Sequence, residues 1–255
     1  AVQASKGYLK RIHRREVGWP EVARHIHRFA CVILDRVFLI TGRYQELDIR
    51  IHGEELALQY ANRQGGCLLV GSHLGSFEVL RALGSRHDEV NIRMLMARGQ
   101  NEMITQILEA LNPGIGEIMI DTSGGDADTA LRIKEALDED SMVCLLGDRV
   151  NSENEKSAAC DFLGSQAQFP LGWLLLAAVL KVPVLLCFGL YQGGNRYDIH
   201  FELLADEIAL TRNKREAEAA VWAQRYADRL AHHARSTPYN WFNFYDFWET
   251  RATSR

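Results

Sequence analysis

The stretch "CLLVGSHLGSFEVLRALG", residues 67–84, decides how the rest of the chain is read. An apolar run ends at Gly71, the chain turns through Ser72 and His73, and "SFEVLRALG" then carries apolar residues at helical spacing. This is the pattern of a buried strand, a turn and a helix. Gly71 and Gly75 flank the turn and Ser76 stands where a hydroxyl can cap the helix expected over 76–84.

Working outward, the same alternation recurs. Short apolar runs lie at "LDIRI" (47–51), "VNIRMLM" (90–96), "EIMI" (117–120), "MVCLLG" (142–147), "VPVLLCFGL" (182–190) and "YDIHFELL" (197–204). Between most of them lie segments of helical periodicity such as "DADTALRIKEALDED". Strands that alternate with helices predict an α/β fold, with a mainly parallel central sheet flanked by helices. The last two runs are joined by "YQGGN", which reads as a hairpin, so the sheet is expected to be mixed. A long helix is expected from about Arg212 to Arg235, followed by the aromatic tail "TPYNWFNFYDFWE".

Ahead of the alternating region, Pro20 opens a helical pattern with Val22, Ile26, Phe29, Ile33, Val37 and Ile40 on one side and a stop at Gly42. Arg24, His25, Arg28, Asp35 and Arg36 fall on the other side. Such an amphipathic helix either packs on the core with its polar face in water or rests on anionic lipid. Residues 1–36 hold eight Lys/Arg against three acids, whereas the whole chain of 255 residues has a formal net charge of −4. The expected organisation is one domain over 1–255, with a basic amphipathic helical segment at 1–44 that can face a membrane and an α/β core at 45–255.

The overall acidity argues against generic nucleic-acid binding, which needs a basic surface. No apolar run approaches the roughly 20 residues of a spanning helix. Cys67, Cys144 and Cys187 lie inside apolar runs, and none of the five cysteines has metal-ligand spacing. They read as buried thiols of a reducing compartment, with neither metal nor cofactor expected.

Within the opening stretch, His73 and Glu78 are five positions apart. With nine histidines and 33 acids, about one such match arises by chance, so the spacing alone decides little. The position is more telling, because sites in open α/β sheets form beyond the carboxyl ends of strands. Glu78 can hold one ring nitrogen and leave the other as a base, or His73 can bond a backbone carbonyl while Glu78 favours a helix N-terminus. Residue types and spacing leave both readings open.

Several ordered blocks carry a family resemblance across roughly residues 45–250. "VGSHLGSFE" resembles the His-x4-Asp/Glu motif of the lysophospholipid acyltransferase superfamily, in its branch similar to the bacterial lipid A lauroyl/myristoyl acyltransferases. "MARGQN", with Arg98 and Asn101, "LLGDRV", with Asp148 and Arg149, and "DFLGSQAQFPLGWLLLAAVLKVPVLLCF" look like that family's later blocks.

The resemblance implies transfer of a fatty acyl chain from an acyl thioester, on acyl carrier protein or coenzyme A, to a hydroxyl or amine of a lipid or glycolipid acceptor. These would be co-substrates, with no resident cofactor. His73 would be the general base and Glu78 its orienter. The oxyanion and substrate contacts would come from Arg149, Arg98, Asn101 and the backbone around Gly75 and Ser76, with Asp148 in support. The resemblance also implies a peripheral protein on the cytoplasmic face of the inner membrane, or a cytoplasmic one. Thioester hydrolysis and non-catalytic carrier or lipid binding are the competing functions.

The opening "AVQASKGYLKRIHRR" lacks the strongly apolar segment usual in the lipid A enzymes, and "PYNWFNFYDFW" stands where they carry a basic pair. That ending resembles stand-alone acyltransferases of aryl-polyene or related glycolipid assembly. "TSGGDADT" (122–129) reads as turn chemistry, His232 and His233 as surface residues, and His200 as structural.

Overall fold

A computed structural model of the chain describes residues 1–80, 84, 86–87, 90–96, 118–152 and 154–248. In chain order its strands are β1 (Asp48–His52), β2 (Cys67–Gly71), β3 (Ile92–Met96), β4 (Met119–Asp121), β5 (Met142–Leu146), β6 (Ser157–Phe162), β7 (Ser165–Pro170), β8 (Val184–Gly193) and β9 (Arg196–Ala205). The helices are α1 (Val2–His13), α2 (Trp19–Ile40), α3 (Glu54–Ala61), α4 (Asp126–Asp138), α5 (Gly172–Leu180) and α6 (Arg215–Ser236).

Seven strands make one sheet in the order β1-β9-β8-β2-β5-β3-β4. Every pairing in it is parallel except β8 with β9, the hairpin expected from "YQGGN". Gly193 and Gly194 supply its turn at φ +110° and +62°, a region where side chains are strained. The mixed, mainly parallel sheet with flanking helices agrees with the sequence reading. The β6–β7 hairpin does not appear in that reading, because its strands are short and "SAACDF" is only partly apolar.

The central runs are apolar throughout because both faces of the sheet are covered. Leu68, Val70, Val143, Leu145, Val184 and Leu186 face one core, with Ile133 of α4, Leu174 of α5 and Tyr226 of α6. Their neighbours Cys67, Leu69, Cys144, Leu185 and Cys187 face the other, with Val32 and Leu39 of α2 and Tyr60 of α3.

Helix α2 forms where expected, but part of its apolar side faces out. Val22 and Ile40 are buried and Ile26 and Phe29 pack on the cores as predicted, yet Val37 is 46% and Ile33 39% exposed, with neighbouring Leu34 at 67%. Of the residues expected in water, Arg24 is exposed as expected, but His25, Arg28, Asp35 and Arg36 turn toward the protein. His25 is fully buried, Asp35 accepts from Tyr197 Oη at 2.7 Å, Arg36 pairs with Glu78, and the Arg28 guanidinium lies over the Tyr191 ring at 4.9 Å. This side of the molecule offers α2 a carbonyl, phenols and a carboxylate, which partner His25, Asp35 and Arg36, while Arg28 Nη1 and Arg36 Nε are buried without a hydrogen bond among the described residues.

Candidate active site

Strand register builds the site. β2 and β5 run parallel with Gly71 opposite Leu146, and Gly147 N–H donates to Gly71 O at 3.0 Å, continuing the ladder past the strand ends. Two residues beyond each end the same register brings His73 beside Asp148. The His73 backbone N–H donates to Asp148 Oδ2 at 3.1 Å, and its ring Nδ1 meets Oδ1 at 2.7 Å. A carboxylate only accepts, so Nδ1 carries the proton and Nε2 keeps its lone pair. Among the described residues Nε2 has no hydrogen-bond partner, and the His73 side chain is 24% exposed.

Asp148 is fully buried. Its Oδ2 also accepts from Trp241 Nε1 at 3.2 Å and from Asn243 Nδ2 at 3.1 Å. Burial pushes the carboxyl pKa up, but the charge and hydrogen bonds of His73, with Arg149 close by, outweigh it and hold the group below its ordinary value. It is therefore ionised at neutral pH, and holds the imidazole by an anionic contact.

The aromatic tail clamps the turn from outside. Phe242 N–H donates to His73 O and Gly75 N–H to Asn240 O, each at 2.8 Å, while Leu74 bridges Trp241 antiparallel. On the opposite side Ser76 N–H donates to Gly189 O of β8 at 2.8 Å. Gly75 sits at φ +74°, and a Cβ there would lie 1.9 Å from Gly189 O, so only glycine passes between tail and sheet. The Asn240 side chain pairs with both backbone groups of Tyr191, at 2.8 and 3.1 Å, which fixes the tail to β8.

Glu78, expected to hold the His73 ring, makes no hydrogen bond to it in this structure. It lies in a 3-10 turn (Glu78–Leu80), ion-paired with Arg36 of α2, and Ser76 Oγ donates to its other oxygen at 3.3 Å. The ring nitrogen belongs to Asp148 because strand register sets those two side by side. The Ser76 hydroxyl is turned to Glu78, and the amides of Gly75 and Ser76, expected to serve an oxyanion, are bonded to Asn240 and Gly189.

Arg149 lies close to Asp148. Its Nε–H donates to Asn243 Oδ1 at 2.6 Å and its Nη2 to Phe242 O at 3.2 Å, and it lies 5.6 Å over Tyr245. Burial lowers its pKa and Asp148 opposes that shift. Arg98 and Asn101 lie outside the described residues.

Asn243, Trp241 and Arg36 are the contributors that sequence reading missed. The one signal was two asparagines, Asn240 and Asn243, inside a run otherwise aromatic. His233 also departs from expectation: it is buried and bonds Glu202 Oε1 at 2.8 Å, while His200 stacks on His52 at 4.4 Å.

His25 ties α2 to this tail. Its Nε2–H donates to Trp241 O at 2.9 Å and its Nδ1 accepts from the Ser5 hydroxyl at 2.8 Å. Burial pulls its pKa down to about 4, against the opposing Trp241 carbonyl. The unfolded chain thus binds a proton below pH 6.5 that the folded chain refuses until about pH 4. Stability should be complete above that window and fall across it by about 1.4 kcal/mol per pH unit per such histidine. His200, also lowered to about 4, acts in the same direction. Urea midpoints measured from pH 7 to 4 should therefore lose part of their slope in His25→Gln; an unchanged slope would remove His25 from the account.

The profile of the family described as bacterial lipid A biosynthesis acyltransferase matches residues 22–250, which takes in the turn, both strand ends and the clamping tail. No individual curated protein matches the chain.

Proposed function

Because the chain belongs to the bacterial lipid A biosynthesis acyltransferase family, we propose that His73 is the general base that activates an acceptor hydroxyl or amine against an acyl thioester. Membership makes the protein an acyltransferase with a lipid acceptor. The thioester donor, the roles of the residues and the membrane setting are our reading.

The observation that carries it is the His73–Asp148 pair, with Nδ1 held and Nε2 open. In the reaction Nε2 takes the acceptor proton as the acceptor oxygen or nitrogen bonds to the thioester carbonyl carbon. The carbonyl becomes an oxyanion, its collapse breaks the C–S bond, and the imidazolium returns the proton to the departing thiolate. Asp148 holds the ring in the useful tautomer and offsets the imidazolium charge. Arg149, its fork fixed by Asn243 and Phe242, is assigned as a donor to the oxyanion. Glu78 serves here as the anchor that binds the turn to α2 through Arg36.

The donor is acyl carrier protein or coenzyme A carrying the acyl chain, and the acceptor is a lipid or glycolipid. Among the described residues no helix is long and apolar enough to cross a membrane. The outward Ile33, Leu34 and Val37 of α2, with Trp19 at 65% exposure, support docking on the cytoplasmic face of the inner membrane instead.

The test is to supply acyl thioester with and without candidate acceptors and follow free acid and acylated lipid by mass spectrometry. Acceptor-dependent acylation is expected, and Arg149→Ala should slow it by about 10²–10³-fold. Fast stoichiometric release of free acid, indifferent to acceptors, would instead make the protein a thioester hydrolase.

A further inference from the structure

Between the carboxyl end of α1 and the β6–β7 turn lies a cleft of about 650 Å³, lined by Lys10, Arg11, Arg14, Arg15, Glu16 and Ser165 among others. Four cations and one carboxylate converge there on a protein whose net charge is −4. Basic residues in the last helical turn favour the helix dipole, which accounts for Lys10 and Arg11. It does not account for Arg14 and Arg15, which lie beyond the helix. Lys10 pairs with Glu16 and Arg15 with Glu21, whereas Arg14, turned back by a left-handed backbone (φ +52°), has no ion pair among the described residues. Like charges gathered around a void repel one another, and an anion relieves that cost.

The cleft is joined to the catalytic pair by the aromatic tail. Arg11 donates to Ser165 Oγ at 3.4 Å and its guanidinium lies 4.2 Å over the Trp248 ring. Trp248 packs on Trp241 at 5.6 Å between centroids, and Trp241 donates to Asp148. Within the same segment, Tyr245 lies under Arg149. One short segment, 241–248, therefore touches the carboxylate that holds His73 through Trp241 and the basic cleft through Trp248.

We propose that this cleft binds the phosphate end of the acyl donor's pantetheine arm, while the donor's thioester carbonyl reaches His73. A phosphate matches the guanidinium and ammonium donors gathered there. It is also the group that a carrier-protein donor and a coenzyme A donor share. The inference rests on the thioester reading above and adds where the donor is gripped.

Two donors that differ only in that group test it: acyl-phosphopantetheine and acyl-pantetheine, each assayed with the full chain and with Arg14→Glu. For the unmodified protein the phosphate should raise kcat/KM by about tenfold or more, the size of one hydrogen bond between charged groups. In Arg14→Glu that advantage should collapse towards one, through KM, with the melting temperature held. An advantage that survives Arg14→Glu overturns the proposal. So does an unchanged advantage accompanied by lost binding to phosphatidylglycerol vesicles, which would assign the cleft to lipid headgroups.

If no thioester is turned over at all, the acyltransfer reading fails separately. The cleft is then judged by calorimetry with coenzyme A: binding that Arg14→Glu weakens about tenfold supports it, and no binding overturns it.

Discussion

His73→Ala should lower acyl transfer by about 10²–10⁴-fold, the range that a positioned general base contributes, while the protein stays folded. The separation of activity from stability follows from how little of the turn depends on the ring. Asp148 keeps three of its donors when the imidazole is removed: the backbone N–H of residue 73, Trp241 Nε1 and Asn243 Nδ2. The turn itself is held by backbone bonds from Phe242 to His73 O, from Gly75 to Asn240 O and from Ser76 to Gly189 O. The ring is partly exposed, so its loss opens no sealed cavity. Single-turnover transfer, measured beside a thermal melt, decides the matter. Transfer at the normal rate would take His73 out of the mechanism, whatever its surroundings.

The fold was legible because its signal is local. Each sheet strand announces itself as an apolar run bounded by polar or glycine-containing turns, and "CLLVG" coincides with β2 to the residue. The position of His73 just past a strand end was legible for the same reason. The pairing inside the site was not, because it is set by register between strands 75 positions apart. Nothing near His73 in the sequence indicates that β5 lies beside β2, whereas Glu78 is close in sequence and draws the eye.

The orientation of α2 was legible only in part, for a related reason. Periodicity identifies two faces but not which one meets protein, and the usual rule that the apolar face turns inward gives way when the surface underneath is polar. Arg36 finds Glu78, Asp35 finds Tyr197 and His25 finds Trp241 O, all partners distant in sequence. Ile33, Leu34 and Val37 are left outside as a consequence.

The sharpest division between the two acids is expected from Asp148→Asn set against Glu78→Gln. Asparagine fits the buried site in one orientation. Its oxygen takes the place of Oδ2, where it still accepts from His73 N, Trp241 Nε1 and Asn243 Nδ2, and its NH₂ takes the place of Oδ1. That NH₂ then faces the His73 ring nitrogen as a donor. Nδ1 must accept, the proton moves to Nε2, and the lone pair that should receive the acceptor's proton is gone. Where the same exchange is made in serine-protease triads the loss is about 10⁴-fold in kcat with geometry intact, and a loss of about 10³–10⁴-fold is expected here. Asp148→Ala is the poorer experiment, since it strands three buried donors at about 1–3 kcal/mol each and so confounds chemistry with unfolding. Glu78→Gln weakens an ion pair with Arg36 on a part-exposed surface and leaves the His73 tautomer alone, so its effect on kcat should be at least about tenfold smaller. The comparison is read as kcat under saturating donor, with the pH profile recorded for each variant. If Glu78→Gln proves the more damaging of the two, then His73 turns from Asp148 to Glu78 in the working enzyme, and the strand-end pair is a resting arrangement only.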